Sequence, residues 1–214
     1  MPRAERLAIV SSSSPFAGLV VAGGYSRRFG TTDKAVARLA GTPMIRLAVD
    51  RLWSVVDELV VNCRAEQVPT IRAALEGVEP CRFAVDPVPD RGPVAGIRTG
   101  LEAADYEYTA VVACDTPFLE PSLLVRLADL AGGSDGALVR CADGHYQPIG
   151  AVYRTEAMRR ACIAGLADGE PSVVSTIDHL DLETVEEREL DRAALRTFES
   201  IDTPAALEAA TIEP

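Results

Sequence analysis

Residues 16–22 and 108–114 carry no charge and no alternation of apolar and polar positions. Strands of that kind are buried on both faces, which happens when helices cover both sides of a parallel sheet. The neighbouring segments fit this arrangement. Residues 44–56 place Ile45, Ala48, Val49, Leu52 and Trp53 at helical spacing. Strands are expected at 58–63 and 82–86, and helices at 68–75, 93–104 and 121–130. Pro93 and Pro121 stand at helix starts, where a missing N–H costs little. The second half is less regular. Strands are expected at 136–140 and 149–153 around a polar connection, 141–148. Helices are expected at 154–167, 171–179 and 204–210, and edge strands at 182–186 and 196–198. The pattern predicts an α/β fold, a mostly parallel sheet flanked by helices, as a single domain over 1–214.

The most unusual stretch follows the first strand: Val21-Ala22-Gly23-Gly24-Tyr25-Ser26-Arg27-Arg28-Phe29-Gly30-Thr31-Thr32-Asp33-Lys34. Lys34 is the only lysine; the other 20 of the 21 basic residues are arginine. A glycine-rich basic loop after a strand brings backbone N–H groups close to phosphates. The loop lacks the Gly-Lys-[Ser/Thr] of a Walker A motif and the spacing of a dinucleotide fingerprint.

Other polar residues also follow expected strands, where open α/β sheets bind ligands. Asp115, in Ala113-Cys114-Asp115-Thr116-Pro117, is either a turn initiator or a magnesium ligand beside a nucleotide. Asp86 opens a proline-rich connection, Asp86-Pro87-Val88-Pro89-Asp90-Arg91-Gly92-Pro93, that is either a rigid link or a loop over a ligand. Asn62 is either a surface turn residue or a reader of a base edge. His145 and Gln147 lie in a polar loop that is either solvated or turned toward a second substrate. Asp202 or Thr203 could cap the last helix. Residues 16–118 hold the nucleotide-like motifs, and 119–214 are expected to build the opposite wall.

Composition excludes several classes. A net charge of −11 argues against nucleic-acid binding. No apolar run approaches the roughly 20 residues needed to span a bilayer, and no secretory signal is evident, so a cytoplasmic protein is expected. Five scattered cysteines without a CxxC pair read as buried thiols rather than metal ligands. An acidic excess with one lysine suggests a salt-rich habitat. Salt screens such self-repulsion, so the melting temperature is expected to rise between dilute and molar salt. Equal melting temperatures in both would contradict this reading.

In this order and spacing, the motifs resemble those of the molybdenum cofactor guanylyltransferase family, nucleotidyltransferases of Rossmann-like fold. That family reads Leu-Ala-Gly-Gly-x-[Ser/Ala]-x-Arg-Met-Gly, then Asp-Lys, which resembles Val21-Ala22-Gly23-Gly24-Tyr25-Ser26-Arg27-Arg28-Phe29-Gly30 and Asp33-Lys34. Its Gly-Pro-Leu-Ala-Gly is similar to Gly92-Pro93-Val94-Ala95-Gly96, and its Asp-[Met/Thr]-Pro to Asp115-Thr116-Pro117. The resemblance covers most of the chain, from residue 17 to residue 207.

The resemblance implies the nucleotide-diphospho-sugar transferase type of fold. It further implies magnesium-dependent transfer of GMP from GTP to the phosphate of molybdopterin. Val21, Ala22, Gly23, Gly24 and Ser26 would meet the nucleotide, with Asn62 and Asp86 on its guanosine part. Lys34 and Arg28 would neutralise phosphate charge, and Asp115 would hold Mg2+. His145, Gln147, Ser200 and Asp202 are candidates for the acceptor side. The partners implied are GTP, the molybdopterin-type acceptor and, transiently, molybdoenzyme assembly proteins. One departure stands out. The family's closing Asn-x-Asn-Thr-Pro is Ser200-Ile201-Asp202-Thr203-Pro204 here, so Asp202 becomes a second candidate metal ligand or a mark of a different acceptor.

Overall fold

The computed structural model describes residues 12, 14–25, 29, 33–88, 90–169 and 172–212, so Ser26 and Arg28 lie outside the described residues. Among the described residues the strands are β1 (Ala17–Val21), β2 (Arg38–Leu39), β3 (Thr42–Pro43), β4 (Glu58–Cys63), β5 (Arg82–Val85), β6 (Tyr108–Ala113), β7 (Gly136–Arg140), β8 (Tyr146–Arg154) and β9 (Leu182–Glu186). The helices are α1 (Met44–Trp53), α2 (Val68–Ala74), α3 (Gly92–Leu101), α4 (Pro121–Leu130), α5 (Thr155–Ala167), α6 (Val173–Ile177), α7 (Arg192–Leu195) and α8 (Pro204–Ile212).

Seven strands form one sheet in the order β5-β4-β1-β6-β8-β7-β9. β1 is parallel to β4 and β6, and β4 to β5. β8 runs antiparallel to both of its neighbours, β6 and β7, while β7 and β9 are parallel. β8 is therefore the one reversed strand of the seven.

Alternation along each central strand feeds two cores. Val20, Leu59, Val61, Ala110 and Val112 pack on one face against Ile45, Val49 and Leu52 of α1, Ile71 of α2 and Leu123, Leu124 and Leu127 of α4. Leu19, Val60 and Val111 pack on the other face against Val94, Ile97 and Leu101 of α3 and Met158 and Cys162 of α5. The central strands are thus apolar on both faces because both faces are covered. Two glycines set the layer spacing. A Cβ on Gly18 would lie 2.7 Å from Leu52 of α1, and one on Gly100 of α3 would lie 2.3 Å from Leu19.

Besides shortened helix ends and the unexpected α7, the structure departs from the sequence expectations in three places. Residues 196–198 form a 3-10 turn, not an edge strand; the Phe198 ring lies where a Cβ on Gly150 would come within 3.1 Å of it. β8 begins at Tyr146, because Tyr146 and Gln147 pair with Arg140 and Val139 after a bulge in β7. β2 and β3 form a hairpin too short to show a period, with Ala40 and Gly41 both at positive φ, as a two-residue hairpin turn demands.

The chain runs outward from β1 through β4 to β5, then returns to the other side of β1 as β6. That reversal places a crevice at the carboxyl ends of these strands. The register aligns Val21 with Asn62 and with Ala113, and Asn62 with Ala84. The residues singled out after four separate strands therefore meet at one edge.

Candidate active site

Lys34 lies at the centre of the crevice. It opens a short 3-10 turn capped by Asp33, whose Oδ1 accepts from the Ala35 N–H at 3.0 Å. Its side chain is only 14% exposed, and the ammonium pairs with the Asp115 and Asp202 carboxylates together. Burial pulls its pKa down, but the hydrogen bonds to Asp115 and Asp202 outweigh that and hold it above the ordinary lysine value. Lys34 stays charged across the neutral range.

Asp115 does not serve as a turn cap. The turn after β6 is held instead by Thr116, whose Oγ1 donates to the Ala113 carbonyl at 2.9 Å. One Asp115 oxygen faces Lys34; the other, Oδ1, is buried without a hydrogen-bond partner. The Asp115 carbonyl accepts from the Ile201 N–H at 3.0 Å, which ties the closing motif to β6. Ile201 is buried in a small apolar cluster with Phe29, Leu39 and Met44. Its neighbours Ser200 and Asp202 lie on the site side, where the Ser200 hydroxyl donates to Asp202 Oδ2 at 2.9 Å. Thr203, not Asp202, caps α8: its Oγ1 accepts from Ala206 at 3.1 Å.

A cavity of about 290 Å³ adjoins this cluster, lined by residues 21–24, Lys34, Asn62, Asp86, Asp115 and the loop into α3. Asn62 is 0% exposed, which removes the surface-turn reading. Its amide donates to Ala84 O at 3.1 Å and to Asp86 Oδ1 at 2.7 Å, which fixes the orientation of the side chain. Asn62 Oδ1 is then a buried acceptor without a partner. Burial pushes the Asp86 carboxyl above its usual range, opposed by hydrogen bonds from Asn62 and Thr99 and by the charge of Arg64. A Cβ on Gly23 would fall 2.6 Å from Asp86 Oδ2, and one on Gly96 would fall 2.5 Å from Asn62 Oδ1. Both glycines let the backbone come down onto this polar pair.

Gly96→Ala is therefore expected to displace Asn62. The cost is about 1–3 kcal/mol of stability, with a weakened affinity for any ligand of the cavity. Thermal melting and equilibrium binding check both; an unchanged affinity would contradict the placement of Asn62.

His145 and Gln147 stand elsewhere. His145, in the β7–β8 connection, has an 82% exposed side chain whose Nδ1 lies 3.1 Å from Asp143. Gln147 donates to Cys141 Sγ at 3.3 Å. Neither lines the cavity. A larger depression, about 600 Å³ between α5 and α6, holds Arg160, Asp168 and His179 but none of the strand-end motif residues.

Three buried thiols are poor nucleophiles. Burial pushes Cys63 and Cys162 to about 12, and Cys114 higher still.

Two residues escaped the sequence reading. Arg64 Nη1 donates to Gly23 O at 2.7 Å and Gly24 O at 2.6 Å. Gln67 Nε2 donates to Ala22 O at 3.0 Å and Asp33 Oδ2 at 2.6 Å. The one signal for them was their position directly after β4, on the edge where the other motifs lie.

The Lys34–Asp115–Asp202 cluster fits a divalent cation. Two carboxylates already converge on one cationic group, and one oxygen between them lacks a hydrogen bond. Magnesium bound with a nucleotide needs only one or two carboxylates, the remaining ligands being phosphate oxygens and water. Among the described residues no group of three or more His, Cys, Asp or Glu side chains is arranged to hold a metal ion by itself.

Residues 18–184 match the model of the MobA-like NTP transferase domain. The chain is 46% identical over 194 residues to a probable molybdenum cofactor guanylyltransferase of Natronomonas pharaonis, covering 90% of this chain and 95% of that protein. It is 36% identical over 188 residues to a protein of the same description from Haloferax mediterranei, covering 87% and 89%. Among solved structures it is similar to molybdopterin-guanine dinucleotide biosynthesis protein A of Archaeoglobus fulgidus, with a TM-score of 0.73 at 22% identity, covering 92% of this chain and 97% of that one.

Proposed function

Because this chain belongs to the MobA-like NTP transferase family, we propose that it transfers GMP from GTP to the phosphate of molybdopterin. Pyrophosphate is released and a guanine dinucleotide cofactor is formed. The observation that supports this most is the convergence of Lys34, Asp115 and Asp202 at the mouth of a cavity floored by Asn62 and Asp86.

In this reading, residues 16–118 hold GTP and residues 119–214 bring the acceptor. An ionised Asp86 is acceptor-only and matches the N–H donors on the guanine edge, with Asn62 orienting it. Lys34 swings from its carboxylates to the triphosphate and offsets charge that grows on the leaving pyrophosphate. An oxygen of the acceptor phosphate attacks the α-phosphorus, and the bond from the α-phosphorus to the bridging oxygen breaks. No general base is required, because a phosphate monoester is largely ionised near neutral pH. Positioning and charge neutralisation then carry the catalysis. Asp115, with Asp202 beside it, would hold Mg2+. The ion supplies Lewis-acid polarisation of phosphate oxygens. Arg28 adds positive charge on the loop. Ser200 and Asp202 face the acceptor, while His145 and Gln147, which lie outside the cavity lining, are left without a part in the transfer. Among the described residues no helix is long and apolar enough to cross a membrane, and we place the reaction in the cytoplasm.

Two measurements test this reading. GTP labelled at the α-phosphorus, incubated with the protein, magnesium and molybdopterin, is expected to leave its label in a pterin dinucleotide. Label recovered only in GTP or free GMP would contradict it. Guanosine binding tests the role of Asp86 without interference from the phosphates. Its raised pKa means that, as the pH falls, it protonates before an ordinary aspartate near 4 does. Affinity for guanosine is therefore expected to weaken as the pH is lowered, before the range in which an ordinary aspartate protonates is reached, and the Asp86→Asn variant should lose that dependence. A flat profile in the unsubstituted protein would count against Asp86 as the base-binding group.

A further inference from the structure

We propose that Arg64 and Gln67 are positioning residues that aim the glycine-rich loop at the phosphates of the nucleotide. The inference rests on the nucleotide reading above and names the groups that build its phosphate site.

The geometry of the peptide bond carries the argument. The carbonyls of Ala22, Gly23 and Gly24 all accept from these two side chains, at 3.0, 2.7 and 2.6 Å. In a trans peptide the N–H points opposite to the C=O. Pinning three successive carbonyls toward Arg64 and Gln67 therefore turns the N–H groups of Gly23, Gly24 and Tyr25 the other way. Gly23 and Gly24 line the cavity. Among the described residues none of these three N–H groups donates to the protein. Successive unpaired N–H groups form an anion-binding concavity.

Both clamping side chains are held in turn. Arg64 is 8% exposed. Its Nε donates to Glu66 at 2.6 Å, and its guanidinium stacks 4.2 Å from the centre of the Tyr25 ring. The backbone N–H of Arg64 donates to Gln67 Oε1 at 2.9 Å, so the two residues brace each other. Gln67 also joins the loop's two ends, holding Ala22 on one side and Asp33 on the other. Asp33 caps the turn that carries Lys34. One buried amide thus fixes the spacing between the backbone donors and the lysine that serve the same phosphates. A cation behind the carbonyls also polarises each peptide, which strengthens its N–H as a donor.

The test compares three probes by equilibrium titration: GTP, inorganic pyrophosphate and guanosine. Arg64→Ala and Gln67→Glu are expected to bind GTP and pyrophosphate at least about tenfold more weakly while guanosine affinity stays within twofold. Gln67→Glu keeps size and shape but sets a carboxylate against a carbonyl and Asp33, so it carries the test if Arg64→Ala does not fold. Unchanged affinity for GTP and pyrophosphate in the folded variants would overturn the proposal. So would an equal loss for guanosine, which would reveal a general loosening of the fold. If the unsubstituted protein binds pyrophosphate but neither GTP nor guanosine, the guanylyl reading fails on its own, and pyrophosphate alone decides the clamp.

Discussion

Lys34→Ala is expected to lower turnover by about 10³-fold, the scale seen when a positioned charge is removed from a phosphoryl-transfer site. Lys34 is the only lysine in an acidic chain, and it is the basic group paired with both Asp115 and Asp202. The variant should also be less stable near neutrality. Removing the ammonium leaves Asp115 and Asp202 facing each other at a site where Asp115 is only 13% exposed. Two ionised carboxylates left there without the ammonium repel each other, so Lys34→Ala should melt below the unsubstituted protein at neutral pH. Steady-state rates and melting curves at neutral pH check both parts; turnover within tenfold of normal would sink the assigned role of Lys34.

Asp115→Ala is expected to reduce turnover at least as far, with a different effect on stability. The Asp115 carboxylate holds a buried oxygen without a hydrogen bond, so its removal also removes an unpaid desolvation cost. Lys34 keeps Asp202 as a partner. Melting should shift by a few degrees at most while activity collapses. The apparent magnesium requirement of any residual activity should rise, because Asp202 alone remains. Normal activity with normal magnesium dependence would remove Asp115 from the site.

The fold was legible wherever a segment was long and its apolar pattern unbroken. The strand at Glu58–Cys63, the helix at Pro121–Leu130 and the strand at Gly136–Arg140 match the expected bounds. Short pieces were not legible. Arg196–Phe198 has three residues, too few to distinguish a strand from a turn, and in the fold it lies close against Gly150. The start of β8 reads as polar loop because Tyr146 and Gln147 owe their strand geometry to pairing across a bulge. The reversed direction of β8 follows from a connection to β7 too short for a crossover.

The site was legible as a set of strand ends but not as a set of contacts. Asp115, Asn62 and Asp86 stand out because a polar residue ends an apolar strand. Nothing local says that Asn62 is wholly buried, or that its amide is used up by Ala84 and Asp86. The pairing of Lys34 with Asp202 joins residues 168 apart, and the fold creates it through the Ile201–Asp115 hydrogen bond and the packing of Ile201 against Phe29, Leu39 and Met44. Arg64 was hidden for a related reason. An arginine after a strand looks like surface, and its burial depends on loop carbonyls that only the folded chain presents.

The most direct test of the account is pyrophosphate release measured with each of the four nucleoside triphosphates, with and without molybdopterin and with and without magnesium. The account predicts release with GTP only when both molybdopterin and magnesium are present. Release with CTP in place of GTP, or with a sugar phosphate in place of the pterin, would contradict it.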